Sequence, residues 1–221
     1  MTDPQPDSLR ALVRVMDRLR SPGGCPWDAQ QTHASLVPYV LEEAHELAEA
    51  IETDDRVGLR EELGDLLLQV VFHARIATEH PTDPFDVDDV ASDLAAKLVR
   101  RHPHVFEGAP VEGDVHVQWD RLKNAEKKRG SALDGIPLAI GALARGQKVL
   151  ARAQRAGIDA AGLAREVDPQ DDVGRRLLGV LVDAEAAGVD AEAALRGAVR
   201  QLEDSVRAVE QVSRRGPSSD R

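Results

Sequence analysis

Apolar residues recur at helical spacing along almost the whole chain, and this pattern constrains the fold more than any other feature. Leu59, Leu63, Leu66, Val70 and Ala74, for example, fall on one face of a helix. No alternation of β-branched residues is framed by Asn-Gly or Asp-Gly turns, the signals typical of β-hairpins. We therefore predict an all-α fold, an antiparallel helix bundle.

Turn and capping residues divide this pattern into separate helices. Residues 21–24, Ser-Pro-Gly-Gly, end the first helix, and Gly130 ends the fifth. We expect Ser35 to cap the second helix and Asp86 the fourth, because short polar side chains accept hydrogen bonds from first-turn amides. The predicted helices span 7–20, 35–53, 57–79, 86–101, 114–129, 138–156, 171–187 and 190–213.

Composition excludes several classes of protein. The net charge of −11 disfavours non-specific binding to nucleic acid. No apolar run approaches the ~20 residues that a membrane span needs. Cys25 is the only cysteine, so no intramolecular disulfide can form, and the N-terminus lacks the features of a secretory signal. We expect a cytoplasmic protein with no nucleic-acid or membrane partner.

Two predicted helices each bring a pair of carboxylates to the edge of an apolar stripe. The pairs are Glu43 with Glu46 and Glu62 with Asp65, each three residues apart. A solvated acidic face is the alternative for any one of them. If the two helices pair antiparallel, the four groups converge and repel, and a bound cation relieves that cost. Oxygen-only ligands favour Mg²⁺, with Mn²⁺ as a substitute, over Zn²⁺.

A di-iron centre is the weaker alternative. Such bundles use paired Glu-x-x-His motifs. Glu42 and His45 form one such motif, but it points away from the apolar stripe and no second copy follows it. We therefore favour the carboxylate site.

Six motifs stand in order between about Leu9 and Gly157. They are GCPWD at 24–28, QT at 31–32, LEEAHE at 41–46, EELGDLL at 61–67, KLVRRHPHVF at 97–106 and SALDGIP at 131–137. In this order they resemble the MazG family of nucleoside triphosphate pyrophosphohydrolases.

The resemblance implies a MazG-like helix bundle and a homodimer whose active site is built within the bundle. It also implies Mg²⁺-dependent hydrolysis of NTPs or dNTPs to monophosphate and pyrophosphate. From the four carboxylates we expect a bound metal to activate a water that attacks the α-phosphate. The family's Glu-x-x-Glu…Glu-x-x-Asp pattern maps the metal ligands onto Glu43, Glu46, Glu62 and Asp65. These are the carboxylates that helical spacing brings together.

Cationic and aromatic residues acquire roles from the same resemblance. Lys97 and Arg101, one helical turn apart, are expected to grip phosphate oxygens, with a solvated basic face as the alternative. Trp119 is expected to cover a base and Lys123 to contact phosphate. The alternative for Trp119 is a plain core tryptophan.

Loop residues complete the predicted site. Trp27 and Asp28 follow a proline and are expected to border the nucleotide pocket, although a loop-anchoring Trp27 is equally compatible with the sequence. His102 and His104 are expected to close a helix rather than bind metal. Cys25 is expected to be a small buried loop residue.

The two parts of the chain differ in chemistry. Every Phe, Trp and Tyr lies between Trp27 and Trp119, whereas alanine is concentrated after residue 124. A faint repeat aligns residues 61–68 with 171–178, where Arg175 takes the position of Asp65. We predict a MazG domain with an intact metal motif over 1–157, a degenerate Ala-rich helical repeat over 158–215, and a disordered tail over 216–221.

The favoured function is that of an NTP pyrophosphohydrolase that cleans the nucleotide pool. Two alternatives stay open from the sequence. One is a nucleotide-sensing protein without turnover, and the other is a regulatory helical adaptor that acts through the C-terminal helices.

Overall fold

A computed structural model describes residues 7–110, 130–167 and 172–215, apart from the side chains of residues 212, 213 and 215. Within these ranges every regular element is an α-helix, which confirms the predicted all-α class. Trp119, Lys123, the predicted helix 114–129 and the predicted tail 216–221 lie outside the described residues.

The chain divides into two compact units, Met1–Pro110 and Val111–Arg221. The first contains α1 (Ser8–Arg20), α2 (Pro26–Gln30), α3 (Val37–Glu52), α4 (Arg56–Ala77), α5 (Val87–Arg101) and α6 (Pro103–Phe106). The second contains α7 (Ala142–Arg155), α8 (Ala160–Glu166), α9 (Asp172–Ala186) and α10 (Ala191–Arg215).

Helical periodicity located the long helices and missed the short ones. Seven of the predicted helices are present, with ends that differ from the prediction by a few residues. The missed helices α2, α6 and α8 have five, four and seven residues. So few residues complete too few turns to produce a periodic apolar pattern.

One predicted cap is confirmed and one is wrong. Asp86 caps α5, because its side chain accepts hydrogen bonds from the amides of Asp88 and Asp89. Ser35 does not cap α3, which begins at Val37 with Leu36 in the cap position. The Ser35 hydroxyl instead accepts from the Thr32 amide, at 2.9 Å, and so belongs to the preceding turn.

The core of the first unit lies between α1, the start of α3, and α4. Its buried members are Met16, Leu36, Val71 and Phe72, and they pack against Leu12, Val13, Leu67, Leu68, Ile76 and Val87. Burial of a side chain as large as Phe72 contributes about 2–3 kcal/mol.

The predicted apolar stripe of α4 is only partly buried. Within that stripe, Leu63 is 52% and Val70 46% exposed, whereas Ala74 is buried. The opposite apolar side, with Val71 and Phe72, packs into the core. Helix α4 is apolar on two sides, and α1 packs against the side that carries Val71 and Phe72. Glu62 and Asp65 therefore border an apolar face that is exposed at Leu63 and Val70.

A tight turn joins α3 to α4. Asp54 has a left-handed backbone, with φ of 56°. Asp55 caps α4 by accepting hydrogen bonds at 3.0 Å from the amides of Val57 and Gly58. A Cβ on Gly58 would lie 2.7 Å from the Asp55 carboxylate, so glycine leaves room for the cap. The turn returns the chain directly, and α3 and α4 pack together.

The second unit has its own small core of Leu150, Leu181 and Ala191. A Cβ on Gly146 would lie 2.5 Å from a Leu181 methyl, so this glycine permits the close contact of α7 with α9. The Gln147 side chain donates to the Val189 carbonyl and accepts from the Ala191 amide, which holds the turn between α9 and α10.

No described helix combines the length and apolar character that crossing a membrane requires.

Candidate functional site

The α3–α4 hairpin brings the predicted carboxylates together in pairs. Glu43 and Asp65 lie equally far from Asp54 along the chain, and so do Glu46 and Glu62. Asp65 is the charged group that most raises the pKa of Glu43, and Glu46 is the one that most raises the pKa of Glu62. Each pair thus faces across the hairpin, as antiparallel helices around this turn require.

Three of these carboxylates form one compact cluster. Glu43, Glu62 and Asp65 each offer an oxygen, and these oxygens lie within 4.8 Å of one another. All three residues are half-buried. A cation with oxygen ligands at roughly 2.0–2.6 Å holds those oxygens within about 4–5 Å of one another. The spacing of the cluster therefore suits one hard divalent cation.

Glu46 lies at the edge of this cluster. Glu46 is exposed, and it is not one of the three carboxylates whose oxygens converge. It nevertheless raises the pKa of Glu62 by charge repulsion and by a side-chain hydrogen bond. The hairpin therefore brings all four predicted ligands to one place, with Glu46 in the outermost position.

Electrostatics supports a cation at this cluster. The pKa of Glu43 is raised, most strongly by partial burial and then by repulsion from the negative charges of Asp65, Glu46 and Glu62. The pKa of Glu62 is raised in the same way, most strongly by partial burial and then by repulsion from Glu46 and Asp65. Raised carboxyl pKa values mean that the negative charges are poorly compensated by the protein itself. A donor set made only of carboxylate oxygens fits Mg²⁺ or Mn²⁺.

The two predicted phosphate-binding residues, Lys97 and Arg101, lie on α5, which packs against α4. Lys97 is half-buried and Arg101 is buried. Burial of Arg101 does not fit a plain solvated basic face, the alternative for this pair. Neither cation is among the groups that most shift the pKa of Glu43 or Glu62, so the immediate neighbours of the cluster are other carboxylates.

Trp27 and Asp28 lie on α2. The Trp27 ring makes edge contacts with Tyr39, at a centroid distance of 6.0 Å, and with buried Phe72, at 6.4 Å. Trp27 is still 49% exposed. These contacts fit the anchoring alternative, and the exposed part of the ring leaves a surface for a ligand. Asp28 is half-buried, and its carbonyl accepts a hydrogen bond from Arg20.

Tyr39 and Gln69 lie next to the carboxylates but are not among the predicted site residues. Tyr39 precedes Glu43 by one turn and Gln69 follows Asp65 by one turn, again equally far from Asp54. Gln69 is buried, and its Oε1 has no hydrogen-bond partner among the described residues. The spacing of four residues from each carboxylate was the available signal.

The fold and the cluster define an all-helical domain with a carboxylate centre on a helical hairpin. Residues 31–106 match the profile of the MazG nucleotide pyrophosphohydrolase domain, and this segment contains α3, α4 and α5. The chain belongs to the MazG family.

Three relatives illustrate the similarity. An uncharacterised 26.1 kDa protein of Streptomyces cacaoi is 50% identical over 205 residues, 91% of this chain and 82% of that protein. The nucleoside triphosphate pyrophosphohydrolase of Mycolicibacterium smegmatis is 43% identical over 94% of this chain and 61% of its own length. The Escherichia coli K12 protein of the same name is 44% identical over 73% of this chain and 63% of its own. This chain thus spans about three fifths of the two named enzymes.

Proposed function

We propose that this protein hydrolyses nucleoside triphosphates to the monophosphate and pyrophosphate, with a divalent cation at the α3–α4 hairpin. The observation that carries the proposal is the convergence of Glu43, Glu62 and Asp65 oxygens within 4.8 Å. The cluster lies inside the segment that matches the MazG domain. The names of the mycobacterial and Escherichia coli relatives support the same activity.

The cation would be held by Glu43, Glu62 and Asp65, with Glu46 as the outer ligand. We propose Mg²⁺, with Mn²⁺ as a substitute, because all four ligands are carboxylates. When bound, such an ion neutralises phosphate charge and makes water a better nucleophile near neutral pH.

The remaining predicted residues would bind the substrate. Lys97 and Arg101, with Lys123, would balance the charge that develops on the departing pyrophosphate. Trp27 and Trp119 would contact the base, and Asp28 would border the pocket. The half-exposed ring of Trp27 and its contacts with Tyr39 and Phe72 support a rigid aromatic surface for that purpose.

We also propose that the protein acts as a homodimer through the exposed face of the hairpin. Leu63 and Val70 on α4 are about half exposed, and Ile51 on α3 is 59% exposed. An apolar stripe on a helix favours burial against another element. A second copy on this face would also enclose the adjoining carboxylates.

The C-terminal helices would have a structural role. The cluster of carboxylates found among the described residues lies in the first unit. Arg175, which aligns with Asp65 in the predicted repeat, is exposed on α9. We propose a MazG domain over 1–157 and a repeat without its own metal site over 158–215, in a protein of the cytoplasm.

Pyrophosphate release by the purified chain tests the function. We expect release from one or more members of a panel of canonical and oxidised NTPs and dNTPs with Mg²⁺, and none with EDTA. Glu43→Gln and Asp65→Asn should each lower turnover by about 10²-fold or more. Loss of a ligand weakens binding of the cation that would neutralise charge at the reacting phosphate. Helical circular dichroism should be unchanged.

Glu49→Gln is the matched control, because Glu49 is exposed on the same helix. It should retain normal turnover. Nucleotide binding without pyrophosphate release in the native chain would contradict the proposal and support the sensing alternative. Near-normal turnover of Glu43→Gln would contradict the assignment of the metal ligands.

A further inference from the structure

Arg20, the last residue of α1, makes contacts with three different parts of the first unit. Its side chain is only 6% exposed. Nε and Nη2 donate to the two carboxylate oxygens of Glu79, at 2.8 and 2.9 Å. Nη1 donates to the carbonyls of Asp28, at 2.6 Å, and Gln31, at 3.0 Å. The guanidinium carbon lies 6.0 Å from the centroid of the Phe72 ring.

The two carbonyl bonds of Arg20 add to the Gln31–Trp27 hydrogen bond and the Trp27 ring contacts that hold a short segment. Helix α2 has five residues and no side-chain cap at its N-terminus. A helix this short is unstable by itself, and its last carbonyls lack partners within the helix. Arg20 supplies a charged donor to the Asp28 carbonyl of α2 and to the carbonyl of Gln31, the C-cap residue of α2.

Helix α2 carries Trp27, and Arg20 also lies beside the ring that supports this tryptophan. Phe72 receives the Trp27 edge contact at 6.4 Å and the Arg20 guanidinium at 6.0 Å. Tyr39, the second ring that Trp27 contacts, lies one turn before Glu43 on α3. The aromatic group is thereby connected to the hairpin that bears the carboxylates.

Arg75 provides a natural comparison. It donates to the same carboxylate, Glu79, at 2.8 Å, and to Asp17 of α1, at 2.7 Å. Its other side-chain hydrogen bond is to Thr78, next to α4's end. Both arginines therefore join α1 to the end of α4, whereas Arg20 also bonds α2.

We propose that Arg20 is a positioning residue that fixes α2, and with it Trp27, beside the carboxylate hairpin, and so sets the affinity for nucleotide. The proposal rests on the proposed function, in which Trp27 contacts the substrate. Lysine cannot replace Arg20, because a single ammonium group does not reproduce the planar fork that reaches Glu79 and two carbonyls together.

The test compares Arg20→Lys with Arg75→Lys in steady-state pyrophosphate release. Arg20→Lys should raise KM by roughly tenfold, the scale of one lost charge-assisted hydrogen bond, and leave kcat within about twofold. The Mg²⁺ concentration for half-maximal activity should be unchanged. Arg75→Lys should lower Tm without raising KM. Equal loss of Tm in both variants with unchanged KM would overturn the proposal.

Fluorescence tests the positioning independently of activity. The chain has two tryptophans, so in a Trp119→Phe background the emission reports Trp27 alone. Arg20→Lys should lower the anisotropy of Trp27, and Arg75→Lys should leave it unchanged. If the native chain releases no pyrophosphate, the proposed function fails, and equal anisotropy in the two variants would separately refute the role of Arg20 in positioning α2.

Two further measurements separate the bond of Arg20 to Glu79 from its bonds to the carbonyls of α2. Glu79→Gln leaves both carbonyl bonds of Arg20 in place, so KM and Trp27 anisotropy should stay near native. A KM rise equal to that of Arg20→Lys would contradict positioning through α2. Hydrogen exchange of the native chain, which needs no variant, should show slow exchange at the Ala29 and Gln31 amides of this segment. Free exchange there would contradict the proposal.

Discussion

His33 stacks on His73 with ring centroids 5.1 Å apart and ring planes within 2° of parallel. Their Nδ1 atoms are 2.8 Å apart, so one must donate and the other must accept a hydrogen bond. The accepting ring is neutral. This contact joins the turn before α3 to the second half of α4, two turns beyond Asp65.

The histidine pair predicts a loss of stability in mild acid. Partial burial and His33 lower the pKa of His73 from its ordinary value of 6.5. Protonation is therefore less favourable in the folded state than in the unfolded state, and stability falls as pH drops below about 6.5. Urea unfolding at pH 7.5 and pH 5.5 should show this decline in the native chain.

His73→Gln should reduce that pH dependence, because the titrating group is removed. His45→Gln, at an exposed position on α3, should retain it. An unchanged decline in His73→Gln would show that other groups cause the acid sensitivity.

A divalent cation should stabilise the folded protein near neutral pH. The raised pKa values of Glu43 and Glu62 mean that the metal-free fold loses stability as pH rises above their ordinary value of 4.5. A ligand present at a hundred times its Kd contributes about 2.7 kcal/mol. Thermal unfolding with and without Mg²⁺ at pH 7.5 should show the gain.

Asp65→Asn should lose most of this Mg²⁺ effect and should be more stable than the native chain without Mg²⁺, because repulsion within the cluster is relieved. Glu49→Gln should keep the full Mg²⁺ effect. A native Tm that does not respond to Mg²⁺ or Mn²⁺ would argue against a cation at this hairpin.

A charge on the exposed face of α4 should prevent dimer formation. Val70→Asp would place a carboxylate in the proposed contact, where burial without a partner is strongly unfavourable. Light scattering should give twice the chain mass for the native protein and the mass of a single chain, 24.0 kDa, for the variant. Leu9→Asp, at an exposed position of α1, should remain dimeric.

Stability should also depend on the turn at Asp54. Its φ of 56° is accessible to Asp, Asn and Gly but strained for a β-branched residue. Asp54→Val should lower the free energy of unfolding by about 1–2 kcal/mol, and Asp54→Asn should be nearly neutral. Urea midpoints of the two variants provide the comparison, and equal midpoints would contradict strain at this position.

Much of the candidate site could be predicted from sequence because its spacing is local. Glu43 and Glu46, like Glu62 and Asp65, share a helix face whenever their segment is helical. The role of Arg20 could not be predicted in this way. Its partners lie in two segments distant from each other in the chain, Asp28 and Gln31 at α2 and Glu79 after α4, and two of the contacts involve backbone carbonyls, which leave no trace in residue type.

The sequence by itself determined the helical class, the long helices and the two carboxylate pairs, because helical periodicity and spacing are properties of neighbouring residues. Only the tertiary structure decided which apolar side of α4 forms the core. Leu63 and Val70 are as apolar as Val71 and Phe72, and the packing of α1 against α4 distinguishes them. The convergence of Glu43, Glu62 and Asp65 likewise depends on how the turn at Asp54 aligns α3 with α4, since their oxygens meet only when the two helices pack.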